Sequence, residues 1–353
     1  MSTNDRFAPH DASTGAARFA IRALSGAMML ALGTAAHAAG PVGGVVTTGG
    51  ATISGNGPTT TITQTTGNVV INWNSFSIGN GETVQFVQPG SSSVALNRVL
   101  GSDPSVILGT LNANGNVFLL NPNGVLFGSG ASVNVGGLVA STMNIADADF
   151  MAGKYAFTGA GAGSIVNRGA ITARDGGYVA LMGRSVSNQG VISARLGSVA
   201  LAAGEAVTLD VAGDGLLNVS VSRGAVNALA SNGGMIQADG GRVLLTAQAA
   251  GDLLNSVVNN TGVIQAQTLQ ARNGTILLLG DMQSGTVSVA GTLDASGTGA
   301  GQTGGNVTVT GHHVGLFDGH INASGDAGGG TVPQIRKLLD DGERAAQGSH
   351  GKA

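Results

Sequence analysis

"GAITARDGGYVALMG" (Gly169–Gly183) is followed, 21 residues on, by "GVISARLGSVALAAG" (Gly190–Gly204), so that Ile171 is set against Ile192. Looser copies follow: "GMIQADGGRVLLTA" from Gly234, "GVIQAQ" from Gly262, "GTLDASG" from Gly291 and "GHINASGDAGGGTV" from Gly319. Each opens on Gly-x-Ile/Leu-x-Ala, and most run on through a Gly-rich corner into an alternating stretch such as Val179, Leu181 or Val307, Val309. Alternation over four to six residues is the strand period. Units of about 20 to 28 residues are too small to bury a face of their own and must stack on their neighbours. The expected fold is therefore all-β: a right-handed parallel β-helix whose coils rise about 4.8 Å each. Inward residues form ladders of Val, Ile, Leu and Ala, and Gly and Asn take the φ > 0 corners. A sandwich or propeller would be expected to show two-residue hairpins and aromatic core anchors, and this half of the chain has almost no aromatics.

Composition agrees. The 353 residues hold 61 glycines, 42% hydrophobic residues, 10% charged residues and no cysteine. Such apolar content excludes a disordered chain, and seven prolines without a three-residue glycine period exclude collagen. Absence of cysteine rules out disulfides and thiolate metal sites. The net charge of −3 makes no electrostatic case for nucleic acid or an anionic membrane.

Both ends depart from the repeat. Arg18 and Arg22 precede the apolar run Ala23–Ala38, which ends on the small-x-small triplet Ala36-His37-Ala38. That order reads as a secretory signal peptide, residues 1–38, cleaved after Ala38. The run is broken by Ser25, Gly26, Gly33 and Thr34, too short for a comfortable membrane span, and no integral membrane segment is expected in the mature chain. At the other end, residues 333–353 carry seven of the chain's charged residues, and Ile335, Leu338 and Leu339 have helical spacing. This tail is expected to be either a short capping helix or the mark of a truncated or frameshifted longer exoprotein. In between, residues 161–332 hold the repeat coils, and residues 39–160 are aromatic-richer, with eight of the twelve aromatics between Trp73 and Phe157. A solenoid's first coil exposes an apolar end, so this region is expected to cap it and add irregular strands.

Within it lies "NPNGVLFG" (Asn121–Gly128). Pro122 pre-sets φ, Asn123 tolerates the next position, Gly124 closes a type I turn and the Asn121 side chain can cap it. The chemistry predicts a rigid corner between strands Val117–Leu120 and Val125–Phe127.

The stretch Asn72–Val99 resembles the amino-terminal secretion domain of the filamentous haemagglutinin family, the exported partners of bacterial two-partner secretion. The resemblance rests on Trp73, Phe76, Ile78 and Gly79; then Phe86, Gln88 and Pro89; then Leu96-Asn97-Arg98-Val99; then Asn121-Pro122-Asn123-Gly124; and last "GASVNVGGLVAST" (Gly130–Thr142). All five come in the family's order and cover roughly residues 40 to 157. The resemblance implies Sec export to the periplasm and recognition of a largely unfolded chain by the periplasmic domains of an outer-membrane β-barrel transporter. The chain would then thread through the pore and fold outside. It implies a secreted or cell-surface protein of a Gram-negative bacterium, adhesin-like, with a host-cell or neighbouring-cell ligand. It also makes Asn121-Pro122-Asn123-Gly124 a secretion motif, with Trp73, Phe76, Phe86, Leu96, Asn97 and Arg98 as structural residues of the domain.

Other groups carry less. Adjacent His312 and His313 are expected on opposite faces of a strand, unable to share an ion with His320. "GTGAGQTGG" (Gly297–Gly305) lacks the Lys-Ser/Thr ending of a phosphate loop and reads as a flexible corner. The competing reading is a β-helix polysaccharide-acting enzyme, which gathers carboxylates on one face. Asp175, Asp239, Asp294 and Asp326 recur near corners but in different registers, so no catalytic site, cofactor or metal is expected.

Overall fold

A computed structural model describes residues 40–159, 161–211, 216–251 and 256–333. The leader with Ala36 and Ala38, and the tail beyond Val332 apart from its first residue, lie outside these.

The repeat folds as a parallel β-helix. Each coil after the first lays one strand on each of three sheets, of ten, eight and eleven strands. One coil runs through Tyr178–Gly183, Ser185–Asn188 and Val191–Ser193, and the next returns to the first sheet at Ser198–Ala203. The register is the one the repeat implies: Ile171 pairs with Ile192 and Val179 with Val199. Stacking then aligns Val84, Leu111, Val133, Ile171, Ile192, Ile236, Ile264 and Leu293 on the third sheet, all buried. The three sheets run past residue 160 without a break: strand Gly137–Ser141 pairs directly with Tyr178–Gly183.

Glycine serves two different purposes at the corners. Gly176 and Gly240 have positive φ, as expected. The glycine that opens each repeat phrase answers to contact instead. A Cβ at Gly190, Gly234, Gly262 or Gly291 would stand 2.0–2.2 Å from the carbonyl oxygen of the glycine one coil before. Only a missing side chain lets the coils stack at strand spacing there.

The N-terminal end is closed by reversed pairing. Val45–Thr48 runs antiparallel to Asn68–Trp73, and Ala51–Asn56 antiparallel to Thr59–Gln64. The aromatics expected to cap this end divide in two. Trp73, Phe76 and Phe86 fill the interior of the first coils, while Phe118, Phe150 and Phe157 belong to a second core on the outer face of the first sheet. This second core exists because the chain twice leaves the solenoid. One excursion, residues 142–164, carries helix Asp147–Met151 and strand Tyr155–Thr158; the other is the hairpin Ala206–Val211 with Leu217–Arg223. The two join edge to edge as a three-stranded antiparallel sheet. Beneath it the first sheet is buried on both faces, so Asn116–Leu120 and Ser198–Ala203 are near-continuous apolar runs rather than alternating ones. Burial pushes the Tyr155 phenol above its ordinary pKa, and Tyr178 further still, with Tyr155 adding to the rise and Arg174 opposing it.

On the second sheet, Asn167, Asn188, Asn232 and Asn260 stand in register, fully or almost fully buried. The side-chain amides of Asn167, Asn188 and Asn232 each donate to the next carboxamide oxygen at 2.8 Å. All four amides also reach the carbonyl of the glycine two residues on.

Candidate functional site

The residues of the secretion-domain phrases converge in the first three coils, where alternation decides what each does. In strand Val94–Val99, Asn97 points inward and Leu96 and Arg98 outward. Inside, the Trp73 indole Nε1–H donates to Asn97 Oδ1 at 3.0 Å. The Asn97 amide donates to the carbonyls of Ala95 and Phe118 at 3.2 and 3.3 Å. Trp73 stands edge-on to Phe76, centroids 5.4 Å apart, and Phe86 lies buried in the same core. Leu96 joins the outer core beside Phe118. Gln88, preceding Pro89, ties three coils together: its amide donates to Gln64 Oε1 at 2.9 Å, and its own Oε1 accepts the Gly115 N–H at 2.9 Å.

Arg98 clamps the first excursion. Its guanidinium donates to Asn144 Oδ1 at 2.8 Å, to the Ile145 carbonyl at 2.7 Å, to Asp147 Oδ1 at 2.7 Å and to Asn72 Oδ1 at 3.3 Å. Only 13% of its side chain is exposed. Arg98→Met keeps the apolar stem and deletes these bonds. It is expected to cost about 2–3 kcal/mol in urea unfolding and to admit protease between Thr142 and Ser164, with Arg98→Lys restoring only part.

Asn121-Pro122-Asn123-Gly124 forms the corner from the first sheet to the second, between strands Asn116–Leu120 and Val125–Phe127. The Gly124 N–H donates to the Asn121 carbonyl at 3.0 Å, closing the turn, and Gly124 sits at φ +111°. Asn121 is 0% exposed. Its Oδ1 accepts the Asn123 N–H at 2.9 Å, and its amide donates to Asp103 O and Ser105 Oγ, both at 3.0 Å. The Asn123 amide donates to Gly101 O at 2.9 Å. Pro122 alone of the four is exposed, with Asn123 half-buried. Both carboxamides are thus turned into the fold, where the bare sequence suggested only that the Asn121 side chain caps the turn, which its bond to the Asn123 N–H does.

The remaining candidates separate. His312 lies one residue before strand His313–Leu316, where alternation does not apply, and its ring meets His313 edge-on at 4.3 Å. The expectation of opposite faces is therefore wrong for this pair. His320 belongs to another sheet, and among the described residues no three His, Asp or Glu gather to hold a metal. In Gly297–Gly305, Gln302 closes the corner by accepting the Gly299 N–H at 2.8 Å. The four aspartates stand in different registers, and each is tied into its own corner or that of a neighbouring coil. Asp239 accepts from Gln237, Gln265 and the Gln267 N–H; Asp294 from Gln267 and the Ser296 N–H. Asp175 pairs with Arg195, and Asp326 accepts the Gly301 N–H. No described helix is long and apolar enough to cross a membrane.

Sequence reading missed the asparagine ladder and the Gln88 hub. The ladder had a signal: Asn-x-Gly leads into the repeat phrase at Asn167, Asn188, Asn232 and Asn260.

Comparison with known proteins places this geometry. A family model described as TPS secretion domain matches residues 38–295. A heme/hemopexin-binding protein of Haemophilus influenzae strain Rd is 34% identical over 258 residues, 68% of this chain and 27% of that protein. A second Haemophilus influenzae protein of the same name is 36% identical over 245 residues, 63% of this chain and 26% of its own length. The chain therefore spans about a quarter of the length of these curated relatives. The crystal structure of the HMW1 secretion domain from Haemophilus influenzae matches with a TM-score of 0.62 at 29% identity. That match covers 86% of this chain and 97% of the other.

Proposed function

The chain belongs to the TPS secretion domain family, and on that premise we propose that a cognate outer-membrane β-barrel transporter recognises it before it folds. Exoproteins of two-partner secretion are secreted by Gram-negative bacteria. In this reading Sec delivers the chain to the periplasm, with cleavage after Ala38, and residues 39–160 engage the transporter's periplasmic domains. The chain then folds coil by coil outside the cell. Contacts confined to neighbouring coils suit such vectorial folding, because each coil needs only the one before it as a template. The absence of cysteine leaves no crosslink to form in the periplasm.

One observation carries the reading: the secretion motif is legible only in the unfolded chain. Once the corner closes, the amides of Asn121 and Asn123 are bonded to Asp103, Ser105 and Gly101, and a partner finds little but the Pro122 ring. A transporter that reads these side chains has to do so before folding. The wider role is adhesin-like, binding a host-cell or neighbouring-cell ligand through regions carried outside by this domain, and no catalytic role is proposed. The relatives' names give heme and hemopexin binding to longer proteins, of which the matched stretch is only about a quarter. The His312–His313 pair lies beyond the part that matches the family, and heme binding is not assigned to this stretch.

The test measures binding of the purified periplasmic domains to this chain, folded and freshly diluted from urea. The unfolded chain is expected to bind at least about tenfold tighter, a difference of about 1.4 kcal/mol. Asn121→Ala with Asn123→Ala should cut transporter-dependent release into the medium while leaving periplasmic delivery intact. Equal binding by the folded chain, or release without the transporter, would overturn the proposal.

A further inference from the structure

The corner that leads from the third sheet back to the first changes length from coil to coil. Asn112, Asn134 and Thr172 pair in one row of the third sheet, and Val117, Leu138 and Val179 in one row of the first. Residues 113–116 join the two rows in one coil, residues 135–137 in the next and residues 173–178 in the one after. The middle corner is the shortest, so it lies recessed between two longer ones. Contact keeps it so: a Cβ at Gly136 would stand 2.6 Å from the Gly115 oxygen, and one at Gly177 would stand 2.1 Å from the Gly136 oxygen. The recess is a cleft of about 310 Å³ open to solvent, lined by Ala113, Asn114, Asn134, Val135, Thr172 and Arg174 around Gly136. That volume lies at the lower end of small-molecule sites.

The polar groups of the cleft divide into those already bonded and those left over. Asn114 is bonded: its Oδ1 accepts the Gln88 N–H and its amide donates to the Gln88 carbonyl, both at 2.8 Å. The Asn134 amide donates to Ser132 Oγ at 3.2 Å and Asn112 Oδ1 at 3.3 Å. Among the described residues, nothing donates to Asn134 Oδ1, and neither the Thr172 hydroxyl nor the Arg174 guanidinium has a hydrogen bond or ion pair. Nearby arginines differ. Arg168 donates to Gln189 Oε1 at 3.0 Å, and Arg195 pairs with Asp175, the residue next to Arg174. With Asp175 taken, the charge of Arg174 stands uncompensated at the cleft.

We propose that this cleft binds a carboxylated sugar unit, with Arg174 as the partner of its carboxylate. Three features choose that class. A single uncompensated guanidinium matches a monoanion, and its planar fork matches a carboxylate bidentately; a phosphate dianion calls for a second cation, which the lining lacks. The Asn134 oxygen and the Thr172 hydroxyl belong to adjacent coils of one row, about 4.8 Å apart, within reach of hydroxyls on one sugar ring. Ala113 and Val135 add apolar surface for the C–H face of that ring. A bare anion would use the guanidinium alone. Because residues from 113 to 174 must come together to form it, the cleft exists only in the folded chain. It is independent of how the transporter recognises the unfolded one.

The experiment titrates the folded, isotope-labelled full chain with glucuronate, N-acetylneuraminate, glucose, a sulfated glucose and acetate, and follows backbone amide shifts by NMR. At least one of the two carboxylated sugars is expected to bind with a Kd of about 1 mM or tighter, at least about tenfold better than glucose or acetate. The amides of Gly136, Thr172 and Arg174 should shift with it, and the better of the two acids identifies the kind of sugar. Arg174→Gln should weaken that binding at least about fivefold and leave glucose unchanged. Thr172→Val, which keeps the shape and deletes the hydroxyl, should weaken it about threefold. Arg168→Gln is the control: it removes the same charge away from the cleft and should cost less than about twofold. Equal losses in Arg174→Gln and Arg168→Gln would reduce the effect to net charge and overturn the proposal. Tighter binding of the sulfated sugar, acetate binding as well as either acid, or shifts confined to other residues would each overturn it too.

Discussion

Asn188→Leu is expected to destabilise the solenoid by about 3–5 kcal/mol, the cost of breaking a buried network in the middle rather than of losing one bond. The Asn188 amide donates to Asn232 Oδ1 and to the Gly190 carbonyl, and its own Oδ1 accepts from Asn167. Leucine fits the volume, but it strips Asn167 of an acceptor and Asn232 of a donor at positions from which water is excluded. A buried group left unpaired costs about 1–3 kcal/mol, and here two are orphaned together with a lost backbone contact. Asn260 ends the ladder, where the next position in register is Val289; Asn260→Leu orphans one donor and should cost about half as much. Urea unfolding followed by Trp73, the chain's single tryptophan, measures both. Because stability in stacked repeats is a sum over neighbouring interfaces, the Asn188 variant should also lose coincidence between Trp73 fluorescence and circular dichroism. Equal, small losses at both positions would show that the amides act independently.

Phe118→Ala is expected to cost about 3–5 kcal/mol, the range for emptying a fully buried phenylalanine site. Phe118 lies at the centre of the outer core, ring centroids 5.1 Å from Tyr155, 5.8 Å from Phe150 and 6.2 Å from Phe157. Its removal takes from the excursion the ring on which both helix Asp147–Met151 and strand Tyr155–Thr158 rest. The loss should therefore be local first: proteolytic cleavage between Thr142 and Ser164 before the coils unfold, and a burst of hydrophobic-dye binding on the uncovered first sheet. Phe118→Leu, which refills most of the volume, should cost under about 1.5 kcal/mol and keep the segment protected. Cleavage appearing only with global unfolding would mean that Arg98 alone holds the excursion down.

How far the chain could be read depends on which contacts repeat. Ile171 against Ile192 was legible because a coil meets its neighbour at a constant offset, so sequence periodicity and spatial register are one pattern. The offset lengthens where the chain leaves the solenoid: Ile192 meets Ile236 only after the hairpin Ala206–Arg223 has been inserted. No periodicity announces where such an insertion folds. The eight aromatics between Trp73 and Phe157 were visible as a cluster, yet composition does not say which side of a sheet they occupy. Half of them point away from the solenoid interior because a segment returning from residues 142–164 covers that face. The His312–His313 expectation failed for a related reason, since alternation holds within a strand and the first of the pair stands outside it.

The sequence by itself determined the stacking: an apolar residue at every second strand position, a glycine wherever a corner touches the coil before it, and a Pro-Asn-Gly turn at residues 122–124. These are local rules, each satisfied within one coil and its neighbour. Only the tertiary structure decided that both asparagines of the turn face inward, that Arg98 clamps a segment nearly fifty residues away, and that Gly161 and Gly163 lie over Pro122 and Asn123. Those contacts join residues with no fixed spacing, and they arise where an excursion comes back to the solenoid, which the repeat does not encode.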